Sequence, residues 1–172
     1  MNIKTYLFCL VLLSNSFSIT LNSELVEFNN KFCRPDNYIP YTGGVQEFYD
    51  KNNALKFEGS YLDGLKNGEF IFYFENGKIY KKENYLAGNS FGEWIKLDLD
   101  GTILYKKLFI ERGYIFTSFH GNEKIKLSGQ FINDYMDGKW VEYYENGSKK
   151  SEKFYDNGII DSSRILIFKD IL

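Results

Sequence analysis

The chain has 172 residues and a formal net charge of −2, with both signs interspersed along its length. That balance removes the electrostatic case for nucleic acid or an anionic membrane as partner. Aromatic residues make up 19%, and fifteen glycines stand against two prolines; this excludes disorder and suits strands joined by tight turns.

Residues 1–18 read as a signal peptide. Lys4 supplies a short positive region, Tyr6 to Leu13 (YLFCLVLL) an apolar core, and Ser14, Ser16 and Ser18 small residues for cleavage. The apolar run is shorter than the roughly 20 residues a membrane-crossing helix needs, so no stable membrane span is expected. The protein is then exported, periplasmic or extracellular after cleavage. Cys9 leaves with the signal, and Cys33 becomes the only mature cysteine, either an inert thiol or half of an intermolecular bridge. In residues 19–43, Leu21, Leu25 and Phe28 lie at helical intervals and predict a short helix within 21–32. Residues 33–43 hold both prolines and read as an extended connector.

Residues 44–161 are an internal repeat. With unit starts at Gly44, Gly68, Gly92, Tyr114 and Gly138, every unit has a small amide or acid eight residues on: Asn52, Asn76, Asp100, Asn122 and Asn146. Seventeen residues on, every unit has an aromatic: Tyr61, Tyr85, Phe109, Phe131 and Tyr155. The starts are 24 residues apart except for a 22-residue step after Gly92, and such a period marks a repeat architecture. In the second unit, β-rich runs over 69–75 and 78–86 flank Asn76-Gly77, which predicts a hairpin closed by a type I′ turn. Glycine-bearing loops at 63–68, 87–92 and 133–138 join each hairpin to the next. The expected fold is all-β: five hairpins, about ten short strands, one antiparallel meander. Residues 162–172, with the apolar run Ile165 to Phe168, form a closing strand or tail.

The period of two assigns the faces. Tyr49, Tyr73, Leu97, Phe119 and Tyr143 form an apolar row five residues into each unit, on a face with Ile71, Ile95 and Val141. The opposite face carries Phe70, Trp94, Phe116 and Trp140, bordered by Tyr144 and Phe74. Exposed, this second row is a partner-binding surface, because large apolar patches and Trp or Tyr anchors mark interfaces. Alternatively the N-terminal helix, the tail or coiling of the sheet covers it.

No enzymatic constellation is legible. His120 is the only histidine and has no nucleophile motif nearby. Asp98 and Asp100, and Asp134 and Asp137, are turn acids without a twelve-residue calcium loop, and no glycine-rich loop is followed by the GK[ST] of a phosphate cradle. No metal or cofactor is expected.

The segments YLDGLKNGEFIFYFENGKIYKKENYLAG (61–88) and GKWVEYYENGSKKSEKFYDNG (138–158) resemble the variant MORN repeat of bacteria. The resemblance is strong in units two, three and five and weak in units one and four. In unit four Tyr114 and Asp134 stand where that pattern has glycine. It implies an elongated, twisted, single-layer antiparallel sheet with one hairpin per repeat, serving as an interaction or assembly module. Some bacterial members are labelled YwqK-type antitoxins, a role that fits poorly with an export signal. The expected function is therefore a non-catalytic exported scaffold for another protein. A carbohydrate or cell-wall binding protein is the alternative, and an antitoxin-like neutralising partner the third reading. Open sheet edges also invite edge-to-edge homodimerisation. The 22-residue step places a bend or specialised contact at 111–121.

Overall fold

The computed structural model describes residues 19–169; the expected signal peptide, 1–18, lies outside the described residues. The strands are β1 (Ile19–Leu21), β2 (Val26–Phe28), β3 (Lys31–Cys33), β4 (Gly43–Phe48), β5 (Leu55–Leu62), β6 (Leu65–Lys66), β7 (Gly68–Tyr73), β8 (Ile79–Leu86), β9 (Asn89–Ser90), β10 (Glu93–Leu97), β11 (Ile103–Ile110), β12 (Gly113–Phe119), β13 (Ile125–Ile132), β14 (Tyr135–Tyr143), β15 (Lys149–Asp156) and β16 (Ile159–Ile167). One sheet runs β1-β4-β5-β7-β8-β10-β11-β12-β13-β14-β15-β16, with β6 beside β5 and β9 beside β8. The five expected hairpins are β4–β5, β7–β8, β10–β11, β12–β13 and β14–β15, all antiparallel. Among the described residues the one parallel pairing is β1 on β4. The expected closing strand is β16, antiparallel to β15.

The helix expected within 21–32 does not form. Those residues make a three-residue 3-10 turn, Asn22–Glu24, and a separate β2–β3 hairpin. Asn29 and Asn30 take φ of 49° and 59°, the left-handed pair that a type I′ turn needs and asparagine tolerates. Three apolar residues at helical spacing were too short a pattern to outweigh that turn. The hairpin brings Phe32 to 4.7 Å from the Tyr61 ring. Leu25, Tyr41, Val45, Tyr61 and Phe70 form the buried cluster at this end of the sheet. Cys33 is also buried, 1% exposed, and its thiol donates to the Lys31 carbonyl at 3.6 Å.

The turns are the reverse of the expectation. Within units two, three and five the loop is a four-residue turn: Gly77 N–H donates to Phe74 O, Gly101 to Asp98 O and Gly147 to Tyr144 O. Only the glycine has positive φ (81°, 96° and 93°), the geometry of a type I turn followed by a glycine bulge. Type I′ turns lie instead between units, at Asp63-Gly64, Ala87-Gly88, Asn133-Asp134 and Asn157-Gly158, where both residues have positive φ. The Asn/Asp column is explained by these turns. Asn52, Asn76, Asp100, Asn122 and Asn146 each accept, through the side-chain oxygen, the N–H two residues on, at 2.8–3.1 Å. Asn52 and Asn122 also donate to Glu75 O and Glu145 O, tying one repeat's turn to the next.

Register also corrects the count. Gly43, not Gly44, stands opposite Tyr61, as Gly68 stands opposite Tyr85 and Gly138 opposite Tyr155. The first unit is one residue longer, because its turn runs from Tyr49 to Ala54. Between Lys66 and Ile71 the outgoing strand holds two more residues than the β5 stretch it faces, Glu58 to Tyr61. The same two-residue excess recurs where β8 meets β9 and β10, and where β13 meets β14. Between β11 and β12 it is missing: pairing runs unbroken from Ile110↔Gly113 to Tyr105↔Ser118. The 22-residue step is therefore the deletion of a bulge, not a bend. Tyr114, freed from the glycine-requiring bulge, pairs directly with Phe109.

Burial and then the Glu27 charge push Tyr61 up to about 12, and burial with the hydrogen bond to Glu58 does the same for Tyr73. A raised folded pKa favours folding at pH below the ordinary value of 10.0, and that contribution is lost as pH climbs through the folded value. An alkaline titration read by phenolate absorbance and circular dichroism should show stability falling from about pH 10 to 12, with these two phenols ionising after the exposed ones.

Candidate functional site: the aromatic face

Ten rings touch in sequence from one end of the sheet to the other. Phe32 meets Tyr61 at 4.7 Å, Tyr61 meets Phe70 at 5.7 Å, and Phe70 meets Tyr85 at 5.6 Å. The line continues through Trp94 (5.2 Å), Phe109 (4.8 Å), Tyr114 (5.6 Å), Phe131 (4.9 Å), Trp140 (5.0 Å) and Tyr155 (6.4 Å). Most contacts are tilted or edge-on, the arrangement the ring quadrupole prefers. Tyr114 supplies the link that the deleted bulge would otherwise leave open.

Of the two readings of this row, exposed or covered, the second holds at Phe70 and Trp140. Phe70 is 0% and Trp140 3% exposed, so neither presents a surface to a partner. The cause lies on the neighbouring strand. A Cβ built on Gly59 would sit 2.5 Å from the Phe70 ring, and one built on Gly129 would overlap the Trp140 indole. The rings lie flat on bare backbone, a known way of protecting glycine in a sheet. Beside Trp94 and Phe116 the equivalent positions are Glu83 and Lys107, opposite Phe70 and Trp94 or Phe116 in the register, and these two rings remain half-buried. Tyr144 is outside the ladder, in a turn, where its hydroxyl donates to Phe168 O at 3.2 Å.

The indoles differ in polarity as well. Trp94 N–H donates to Asn84 O at 2.8 Å. Trp140 N–H is buried without a partner among the described residues.

Around Trp94 the face opens into a hollow of about 280 Å³ lined by Lys81, Glu83, Lys96, Tyr105 and Lys107. Glu83, 6% exposed, is held by the Lys81 ammonium at 2.9 Å and the Tyr85 hydroxyl at 2.8 Å. Burial and then that carboxylate hold the Tyr85 phenol far above its usual range. Lysines lie over rings throughout this stretch: Lys81 is 3.9 Å from Phe72, Lys96 4.5 Å from Tyr80, and Lys107 4.4 Å from Tyr114. Lys66 lies 4.7 Å from Tyr85, and its burial lowers its pKa. Sequence reading missed these lysines as members of one site. Their columns were visible, but the pairing that sets them side by side was not.

Elsewhere the polar groups are structural. His120 Nε2 is 2.9 Å from Tyr143 O, at the turn it flanks. Asp98 and Asp100 accept backbone N–H groups within their own turn. Among the described residues no helix is long and apolar enough to cross a membrane.

Three segments, 42–63, 66–87 and 136–158, match the family model described as the MORN repeat variant. They correspond to units one, two and five. The resemblance read from the residues thus holds for units two and five, while unit one, read as weak, is matched and unit three is not among the matched segments. No curated protein and no solved structure matches the chain.

Proposed function

We propose that the protein is a non-catalytic, exported scaffold that binds another protein through the central aromatic face. MORN repeats commonly act as protein-interaction or binding modules, and three such matches occur here. A contrast on one face supports this: Phe70 and Trp140 are buried, whereas Trp94 and Tyr105 stay half-exposed and line a hollow. Partly exposed aromatics in a depression are the usual anchors of a protein interface. A flat sugar platform is less well supported, because Trp94 is canted 53° to Tyr85 and 61° to Phe109. An antitoxin-like role has no separate support in the site.

The test is capture of partners from extracellular and envelope fractions on immobilised protein. Wild type should retain a specific protein, and Trp94→Ala or Tyr105→Ala should reduce its recovery at least tenfold, with circular dichroism unchanged. Tyr144→Ala should retain it. No specific capture by wild type, or equal capture by all variants, would discard the reading.

A further inference from the structure

On the aromatic face, four pairs of residues occupy the same cross-strand position where one repeat meets the next. They are Phe57↔Phe72, Lys81↔Lys96, Tyr105↔Ser118 and Leu127↔Glu142. Of these four, only the β8–β10 pair sets like charges directly opposite, an arrangement that destabilises a sheet. Local rules of this kind are broken mainly where function requires it. Lys107 lies one strand further on, opposite Trp94. Lys81 has a carboxylate partner in Glu83. Lys96 and Lys107 have no carboxylate within ion-pair distance among the described residues and instead lie over the rings of Tyr80 and Tyr114. Three ammonium groups thus surround one hollow with a single buried carboxylate, in a chain whose net charge is −2.

We infer that this hollow is a docking site for an extended acidic peptide segment of a partner protein, with an apolar side chain against Trp94 and carboxylates on Lys96 and Lys107. The inference rests on the scaffold reading and names the chemistry of its partner. Charge complementarity selects an acidic ligand. Adjacent strands are about 4.8 Å apart and alternate residues of an extended chain about 6.6 Å, so carboxylates two residues apart can reach ammoniums on β10 and β11. Trp94 lines the hollow tilted 53° and 61° against its two ring neighbours, so the rings make no flat platform for a stacked sugar, and an aliphatic side chain suits the site better.

The test uses the whole protein and the indole N–H signals of Trp94 and Trp140, assigned with Trp94→Phe. The probes are a seven-residue peptide of alternating Glu and Leu, its Lys/Leu counterpart, and a galacturonic acid tetramer. The acidic peptide should move the Trp94 signal saturably and leave Trp140 in place. Lys96→Glu with Lys107→Glu should weaken it at least tenfold and confer binding of the Lys/Leu peptide; Lys96→Gln, a milder change, should weaken it about threefold. No shift at millimolar peptide, equal affinity in the variants, or binding of the tetramer alone would overturn the site. If the doubly reversed variant still captures the partner held by wild type, this site is overturned and the scaffold stands. If the peptide binds at Trp94 but wild type captures no protein, the site stands and the scaffold reading fails.

Discussion

Phe70→Ala should lose about 3–5 kcal/mol of folding stability, the range for removing a fully buried aromatic. Whole domains have only about 5–15 kcal/mol, so this one change approaches the limit of what the fold tolerates. The reason is local. Phe70 is 0% exposed and touches Phe57, Tyr61 and Tyr85 at 6.3, 5.7 and 5.6 Å. Beneath it lies Gly59, which has no side chain to refill the space. Phe116→Ala, in the same row but half-buried, should cost only roughly 1–2 kcal/mol on the basis of area removed from water. Thermal unfolding should show a drop of roughly 6–20 °C for Phe70→Ala at this chain size. Near-equal effects for the two would contradict the burial assigned to them.

Gly129→Ala should be the most damaging single-methyl addition on this face, at about 1–3 kcal/mol. The new Cβ would overlap the Trp140 indole. Moving that ring aside would disturb its contacts with Phe116, Phe131 and Tyr155 at 6.2, 5.0 and 6.4 Å. Gly121→Ala supplies the comparison. Its Cβ meets nothing within 4 Å and its φ is not positive, so the change should stay within about 0.5 kcal/mol. Urea midpoints of the two variants, read with near-ultraviolet circular dichroism of the indoles, separate them. A Gly129→Ala protein with unchanged midpoint and indole signal would show that Trp140 does not rest on that backbone.

Much of this fold was legible because the repeat presents the same choices five times. The Asn/Asp column and the aromatic column each have a single physical cause, a side-chain-capped turn and a ring ladder. What escaped reading depends on register. Asp63-Gly64 and Asn76-Gly77 look alike as dipeptides, yet the first closes a two-residue I′ turn and the second ends a longer type I turn with a bulge. Loop length decides between them, and the two extra residues of the bulge cannot be located without knowing which residues pair. The same gap hid the site. That Phe70 and Trp140 are sealed follows from glycines on adjacent strands, and the lysine cluster follows from Lys81 standing opposite Lys96. The expected short helix is absent because Asn29-Asn30 closes a hairpin that three apolar residues at helical spacing do not outweigh.

Photo-crosslinking in the cells that make the protein would show whether a partner protein docks, as proposed, on the aromatic face around Trp94. A benzophenone side chain placed at Lys96 or Tyr105 lies on that face; one at Lys82 or Lys106, on the same strands as Lys81 and Tyr105 but a single residue along from each, projects from the other. Lys96 and Tyr105 should each give a discrete protein adduct, and Lys82 and Lys106 none. Adducts from the opposite face alone, or from no position, would contradict docking there.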